Sequence, residues 1–556
     1  MNQWISHSIK KWMKHPFIMH LSIWLAMVLV YASGINAPFI WDDEVMVLAN
    51  PLIRSLEHIP SLFTVSAFGE QASATDFYRP FQVLTYIIDY KIWGFNPVGF
   101  RLTSLALMGV ASSCLMMAIQ KMGYSMLTGW VIGLSMAIHP IGIEGVTYIS
   151  GRGDILYVAL CMFIWYRLTV SKSYWPLWWM LPLYTAAIFT KENAIPFSIG
   201  LCVLTWVNPT QLFKPHHRWM ALGLSGISIL VTVVRLVMMG GKTPTLSWIA
   251  SASLLERIMT LPYILSTYTR LIAIPTHLHM EYHWVSTGPD WYWLAAGIVA
   301  VLLTLMVMIS TNRQASLAWL AWGLLMLGPV LHSVPLASTV REHWAMLSQI
   351  GVWMMVVHLP IWGYRWAKWV VLIWLVGWGI STSIRNLDWT DPLRLYAHDV
   401  ALEPRSFVLH NNLGVTRSRL GLHQLGCQSF LDSINSTPSR YGYGTALNNW
   451  GVCQEQGGNL DEAIGYYIQS IQSSRYELAY ANLARVLIRK GEANQAIDML
   501  KNGLDLYPYN TELWFWLGVA YHQGSEVGLA WQTFNRLKQI DPSSDARIRA
   551  YLDVKE

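Results

Sequence analysis

The chain has 556 residues, of which 54% are hydrophobic and only 13% are charged, and its net charge is +6. A soluble globular chain carries about a quarter charged residues, so this composition excludes an ordinary soluble protein. The small positive charge forms no basic stripe, and we therefore expect membrane lipids, and no nucleic acid, among its partners. Long apolar runs extend to about Ile384, and the chain from Arg385 onward has the composition of a polar helical protein.

Residues 1–385 predict a polytopic membrane domain, because a transmembrane helix needs roughly 20 apolar residues. If the N-terminus is cytoplasmic, every predicted cytoplasmic loop is short and basic, and an odd number of spans places the C-terminal domain outside. We interpret residues 254–275, which carry three charged side chains, as an interfacial or re-entrant helix, since a further crossing would reverse that location. We predict eleven spans, at about 17–33, 98–119, 125–140, 154–169, 176–190, 194–208, 219–238, 291–310, 315–331, 345–362 and 369–384.

The polar C-terminal part contains an internal repeat. Similar triplets recur at residues 412–414, 449–451, 482–484 and 516–518. A period of about 34 residues with this pattern is typical of tetratricopeptide repeats, which stack into an α-solenoid with a concave binding surface. We therefore predict an all-α protein in which residues 386–404 link the membrane domain to an extracytoplasmic domain of about four repeats at 405–556. Cys427 and Cys453 fall in neighbouring repeats and form either a disulfide or two buried thiols.

The first predicted outer loop begins with the sequence Trp-Asp-Asp-Glu at residues 41–44. Adjacent carboxylates beside a bilayer repel one another and lose solvation. The segment is therefore interpreted either as a solvated loop or as an acidic catalytic or metal-binding motif. Asp42 or Asp43 can remove a proton from an acceptor hydroxyl. Asp42, Asp43 and Glu44 are also possible ligands of a divalent metal such as Mg²⁺ or Mn²⁺, and the sequence indicates no other cofactor.

Further ionisable and polar residues lie near the predicted outer ends of the spans. Singly, each is typical of an interfacial anchor or an ion pair, but together they suit a phosphate-linked substrate. We predict phosphate-binding roles for Arg79, Arg152, Lys191 and Arg341. Supporting roles are predicted for Glu44, Tyr78, His139, Glu144, Asp154, Glu192, Glu342 and His343.

Taken in order, these motifs resemble the transmembrane and tetratricopeptide repeat (TMTC) proteins and their bacterial relatives, over almost the whole chain. The matching pieces are residues 41–43, 78–80, 84–85, 139–154, 191–192, 341–344 and 385–386. The resemblance implies a GT-C glycosyltransferase that takes a sugar from a polyprenyl-phosphate carrier and acts outside the cytoplasm. It implies Asp42 or Asp43 as the general base of an inverting reaction, with the acidic pair aligned as Asp42-Asp43 or as Asp43-Glu44.

The acceptor that the resemblance implies is a Ser/Thr hydroxyl of a protein. Eukaryotic relatives mannosylate secretory-pathway proteins, and similar bacterial enzymes of the TfpW type glycosylate type IV pilins. The compact loops favour a bacterial inner (plasma) membrane, with the repeat domain in the periplasm and in contact with the acceptor protein. The alternatives are a lipid or glycan acceptor, a membrane-anchored repeat scaffold for envelope assembly, and a transporter or flippase.

Overall fold

The computed structural model describes residues 15–64, 67, 78–207, 213–238, 247–332, 336–362, 364–438 and 443–553. In these residues the secondary structure is helical, with no β-strand beyond one isolated bridge between Tyr282 and Val340. The prediction of an all-α protein is therefore confirmed. The chain divides into two compact units, the first ending at Leu402 and the second beginning at Glu403.

The first unit contains sixteen α-helices among its described residues. Proline at the first turn starts several of them, where its missing N–H and fixed φ angle are tolerated. They are α1 Pro16–Tyr31, α2 Pro80–Trp93, α3 Pro97–Lys121, α4 Met126–Ile138, α5 Ile143–Val146, α6 Arg152–Val170, α7 Leu177–Thr190, α8 Ile195–Val207, α9 Pro215–Met238, α10 Trp248–Ser251, α11 Leu254–Ala273, α12 Trp291–Ile309, α13 Arg313–Leu327, α14 Ser348–Val357, α15 Arg365–Asp388 and α16 Pro392–Leu402.

All eleven predicted spans coincide with helices, but the count of eleven spans is not confirmed. In the described part of the chain, six helices are long and apolar enough to cross a membrane: Pro16–Gly34, Pro97–Lys121, Ile149–Val170, Pro215–Val234, Trp291–Ile309 and Arg365–Asp388. The helices α4, α7, α8, α13 and α14 have only 10 to 15 residues. At 1.5 Å per residue they reach at most roughly 22 Å, which is less than the bilayer core of about 30 Å.

Residues 254–275, predicted to be interfacial or re-entrant, form the 20-residue helix α11. A capping box between Ser253 and Glu256 starts this helix, and one face of it, including Tyr268 and Leu271, is buried. The exposed Leu254 and Leu255 lie at its N-terminal end. Helix α11 is not among the six long apolar helices, and its relation to the membrane stays a prediction.

The second unit is a stack of helix pairs, as predicted for the repeats. At Gly414, Gly451 and Gly518 an added Cβ would overlap an aromatic ring of the paired helix, so the small residue permits close helix packing. Cys427 and Cys453 form a disulfide between α18 and α19, which decides one alternative that the sequence left open. The helices are α17 Phe407–Arg419, α18 His423–Asn435, α19 Gly444–Gln456, α20 Leu460–Ser474, α21 Glu477–Arg489, α22 Ala493–Leu506, α23 Thr511–Gln523, α24 Val527–Ile540 and α25 Asp545–Asp553.

Candidate active site

Asp42 is a half-buried carboxylate at the start of the acidic loop. Its Oδ2 accepts a hydrogen bond of 2.8 Å from the Tyr148 hydroxyl, and its other oxygen accepts none from the described residues. The Tyr148 ring stacks on Trp41 and on Trp389. Trp41 itself has a φ of 57°, which is unusual for a bulky residue and occurs most often at functional sites.

Asp43 is fully buried, and both of its carboxylate oxygens are engaged. Oδ1 accepts hydrogen bonds from the Ser150 backbone N–H at 2.7 Å and hydroxyl at 2.6 Å, while Oδ2 accepts one from the Ile40 N–H. Burial raises the pKa of Asp43 to about 6, against the opposing effect of these hydrogen bonds. Asp43 therefore anchors the loop, and Asp42 is the carboxylate that remains accessible to a substrate.

Arg101, which the sequence analysis did not single out, fixes the segment that leads to Asp42. Its buried guanidinium donates hydrogen bonds to the backbone carbonyls of Ala37, Pro38 and Thr147. The side chain comes from α3, so it joins a long membrane helix to the acidic loop. This positive charge also lies close enough to Asp43 to oppose the rise in its pKa.

Two predicted phosphate-binding residues lie near Asp42. Burial raises the pKa of Asp42, and the Tyr148 hydrogen bond and the charges of Arg341 and Arg79 oppose that rise. The Arg341 guanidinium lies 5.3 Å from the centre of the Trp41 ring and forms an ion pair of 2.6 Å with Glu281. The charges of two guanidinium groups therefore act on the accessible carboxylate.

A second, more deeply buried cluster contains the third predicted cation, Lys191. Its Nζ lies 2.7 Å from Asp154 Oδ2 and 3.5 Å from His343 Nε2. His343 Nδ1 is hydrogen-bonded to the Glu144 carboxylate. Burial lowers the pKa of Lys191, Asp154 opposes that effect, and the charge of Arg79 adds to it. The charge of Arg79 thus acts on both Asp42 and Lys191.

Arg152 does not join this group. It is fully buried between α2 and α3, where it pairs with Asp89 at 2.6 Å. It also donates hydrogen bonds to Thr85 Oγ1, Ser104 Oγ and the Phe100 carbonyl. Because these contacts engage all three guanidinium nitrogens, Arg152 holds helices together and we remove it from the candidate phosphate-binding residues.

Four other predicted supporting residues occupy structural or peripheral positions. His139 is fully buried, with its Nε2 3.0 Å from the Ile272 carbonyl and its Nδ1 accepting from the Ile141 N–H. Tyr78 donates to the Phe63 carbonyl. Glu192 is half-buried beside Lys191, and Glu44 opens the π-helical turn Glu44–Leu48. None of these contacts directs a side chain toward Asp42.

Glu342, predicted as a supporting residue, is a buried carboxyl that makes the folded state sensitive to pH. Its Oε1 accepts from the His279 N–H at 2.7 Å and from the Tyr282 hydroxyl at 2.8 Å. Burial, assisted by Glu144, raises its pKa from 4.5 to about 8. The folded state therefore binds this proton more tightly than the unfolded state, and this contribution to stability is lost as the pH rises from about 4.5 to about 8.

The Glu342→Gln variant should lose that part of the pH dependence, because the amide carbonyl keeps both hydrogen bonds and carries no charge. We expect the variant to be more stable than the wild type at about pH 9 and to lose this advantage toward about pH 5. Thermal unfolding of the full chain at both pH values measures the difference. The half-buried Glu192→Gln is the control, and an equal gain there would contradict the assignment to Glu342.

Among the residues that the structure describes, no three His, Cys, Asp or Glu side chains are arranged to hold a metal ion. This includes Asp42, Asp43 and Glu44, because Asp43 faces Ser150 and Ile40 while Asp42 faces Tyr148. The acidic loop therefore does not fit the metal site that its sequence allowed, and no step below is assigned to a metal.

The sequence analysis did not identify Glu281, which forms an ion pair with Arg341. It also did not identify Asp399, which binds the backbone next to Glu281. Arg385 forms a two-pronged ion pair with Asp399, and Asp399 accepts from the Met280 N–H. A signal was present, since residues 278–284 (Leu-His-Met-Glu-Tyr-His-Trp) concentrate ionisable and aromatic side chains between two apolar stretches. Such a density of polar groups beside membrane helices favours a functional interpretation.

Comparison with known proteins supports the resemblance. The tetratricopeptide repeat family model matches residues 482–545. Protein O-mannosyl-transferase Tmtc3 of Drosophila melanogaster is 21% identical over 90% of this chain and 60% of its own length. The chain is similar to the TMTC proteins. Protein O-mannosyl-transferase F38B6.6 of Caenorhabditis elegans is 21% identical over 74% of the chain and 62% of its own length. Drosophila Tmtc1 is 28% identical over 32% of the chain.

The matches extend over 22% to 62% of the length of these three TMTC relatives. Among solved structures, that of MamA is 19% identical and covers 28% of this chain, with a TM-score of 0.24. That of YrrB, described as a tetratricopeptide repeat protein with an unusual peptide-binding site, is 13% identical over 31% of the chain, with a TM-score of 0.25.

Proposed function

We propose that this protein is an inverting GT-C glycosyltransferase that moves a sugar from a polyprenyl-phosphate donor to a Ser/Thr hydroxyl of an extracytoplasmic protein, such as a pilin. The observation that carries the proposal is Asp42, one of whose oxygens is oriented by Tyr148 while the other accepts no hydrogen bond from the described residues. Arg341 and Arg79 lie near it. The names of the TMTC relatives, protein O-mannosyl-transferases, support transfer to protein.

In the proposed reaction Asp42 accepts the proton of the acceptor hydroxyl as its oxygen attacks the anomeric carbon of the donor. The new glycosidic C–O bond forms as the bond from the anomeric carbon to the phosphate oxygen breaks on the opposite face, which inverts the configuration. The electron pair of that bond leaves on the lipid phosphate, whose added negative charge is stabilised by Arg341, Arg79 and Lys191. Tyr148 orients the Asp42 carboxylate for removal of that proton.

We propose that all eleven predicted spans cross the membrane, the short helices together with the residues that flank them, and that residues 1–385 form the catalytic domain. The N-terminus is then cytoplasmic and the repeat domain, 405–556, is periplasmic, in a bacterial inner membrane. The Cys427–Cys453 disulfide supports this location, because structural disulfides persist in oxidising compartments and are rare in the cytosol.

We propose that the repeats hold the acceptor polypeptide. A row of asparagines runs across three first helices of successive repeats: Asn449 donates to Asn411 Oδ1 and Asn482 donates to Asn448 Oδ1, both at 2.9 Å. Asn449 and Asn482 are half-buried, so each retains amide capacity for a ligand. Amide groups at repeat spacing suit the backbone of an extended chain of varied sequence.

The proposal is tested with the purified full chain in nanodiscs, a farnesyl-phosphoryl mannose donor and a Ser/Thr-rich peptide. We expect mannose to be linked to peptide hydroxyls with inverted configuration, detected by mass spectrometry and NMR. Ending the chain at Leu402 should raise the KM for the peptide more than the KM for the donor. Transfer to lipid alone, or equal losses of both affinities, would contradict the protein acceptor.

A further inference from the structure

His343 contacts different partners through its two ring nitrogens: Nδ1 has one partner, and Nε2 lies near two. Its Nδ1 faces the Glu144 carboxylate, which can only accept, so this nitrogen carries a proton. Its Nε2 lies 3.5 Å from Lys191 Nζ and 3.5 Å from Asp154 Oδ2. An ammonium only donates and a carboxylate only accepts, so neutral His343 accepts from Lys191, whereas the imidazolium donates to Asp154.

The proton on Nε2 also sets the charge of this four-residue cluster, formed by Glu144, Asp154, Lys191 and His343. With neutral His343, two carboxylates face one ammonium and the cluster is negative. With the imidazolium, the charges balance, and Asp154 is shared between two cations. A phosphate anion is repelled in the first state and can bind to Lys191 in the second.

The two cations of the cluster are also its more accessible members. The exposed side-chain fractions of Lys191 and His343 are 8% and 10%, against 3% for Asp154 and 5% for Glu144. The ammonium and the imidazole therefore contribute more of the cluster's exposed surface than the carboxylates do. The other charged or titratable groups that interact electrostatically with members of the cluster include Arg79, Tyr157, Glu192, Tyr268, Arg341 and Glu342.

We propose that His343 is a proton-controlled positioning residue for a phosphodiester site at Lys191. The imidazolium binds Asp154 and releases Lys191 to the phosphate of a lipid-linked donor, whereas neutral His343 leaves Asp154 on Lys191 and the phosphate is excluded. This inference rests on the proposed function, for which it names the group that controls donor binding.

The experiment measures binding without transfer, using the full chain in nanodiscs and farnesyl methyl phosphodiester. This probe keeps a single negative charge from about pH 5.5 to about pH 8.5, a range that brackets the usual titration of histidine. For the wild type we expect the affinity to fall about tenfold across this range, which corresponds to about 1.4 kcal/mol. No binding of the diester at either pH would overturn the proposal.

Two variants shift the affinity in opposite directions. His343→Gln should bind weakly at both pH values, whereas Asp154→Asn should bind about tenfold more tightly than the wild type at about pH 8.5. A purely structural cluster would lose affinity in both variants, which would overturn the proposal, as would a wild-type pH dependence in His343→Gln. Melting temperatures verify folding, and the half-buried His522→Gln in α23 is the control.

A second probe, dimethyl phosphate, distinguishes failure of the anion site from failure of the proposed function. It carries the same charge as the farnesyl diester but has no prenyl chain. We expect it to bind at least about tenfold more weakly than the farnesyl diester. Equal binding of the two probes, with the same pH dependence, would leave the anion site in place and contradict the lipid-linked donor.

Discussion

The Asp42→Asn variant is expected to fold like the wild type and to lose about 10²–10⁴-fold of its transfer rate, the usual contribution of a general base. The amide keeps the hydrogen bond from Tyr148 through its carbonyl oxygen, so the geometry of the loop is retained. The loss should appear in kcat with little change in donor affinity, because the proton is removed only as the acceptor attacks. Initial rates of sugar transfer to peptide, together with donor binding, measure both quantities.

The Asp43→Asn variant is expected to lose folding stability, in contrast to Asp42→Asn. Its amide nitrogen would face either the Ile40 N–H or the two donors of Ser150, which leaves a buried donor without an acceptor. Such a change costs about 1–3 kcal/mol of stability. The exposed Asp461→Asn in the repeat unit is the control for both variants. A stable Asp43→Asn protein without activity, beside an active Asp42→Asn protein, would reverse the assignment of the base.

The sequence could not separate Asp42 from Asp43, because the difference between them is made by distant residues. Ser150, which binds Asp43, lies 107 residues further along the chain. Tyr148, which binds Asp42, comes from the same turn. Adjacent side chains in an irregular loop face different neighbours, and no local periodicity indicates which neighbour is buried. By contrast, the helices and the repeats follow from local apolar patterns and from a regular spacing.

The predicted phosphate-binding cations also show which features follow from local sequence and which depend on tertiary contacts. Charge at a span end is the basis for predicting a phosphate-binding role for Lys191 and Arg341, and both lie among ionisable groups. The same signal failed for Arg152, because its partner Asp89 is carried by a helix that was not predicted as a span. Lys191 and Arg341 also pair with carboxylates, but in Arg152 the surrounding helices take the remaining guanidinium nitrogens as well as placing the carboxylate of Asp89. Only the packing of α2 against its neighbours reveals that carboxylate.

Arg101 controls the position of the acidic loop through its hydrogen bonds to the backbone. Three carbonyls, of Ala37, Pro38 and Thr147, receive hydrogen bonds from this one guanidinium. The first two precede the acidic loop directly, and Thr147 is next to Tyr148. Both sides of the Asp42–Tyr148 hydrogen bond are therefore fixed by one side chain. Lysine cannot reproduce this arrangement, because its ammonium is a single point without the planar fork.

We expect Arg101→Met to lose about 3–5 kcal/mol of stability, because Asp43 loses its nearby charge and three carbonyls, two of them buried, lose their donor. Arg101→Lys should retain part of the stability and still lose most of kcat, since its charge remains but the loop is no longer held. Thermal unfolding and transfer rates of the full chain distinguish the two effects. Arg313→Lys, which changes a surface guanidinium bound to the Met308 carbonyl, is the matched control and should alter neither quantity. Full activity in Arg101→Lys would instead mean that charge alone, and not the position of the loop, is what Asp42 requires.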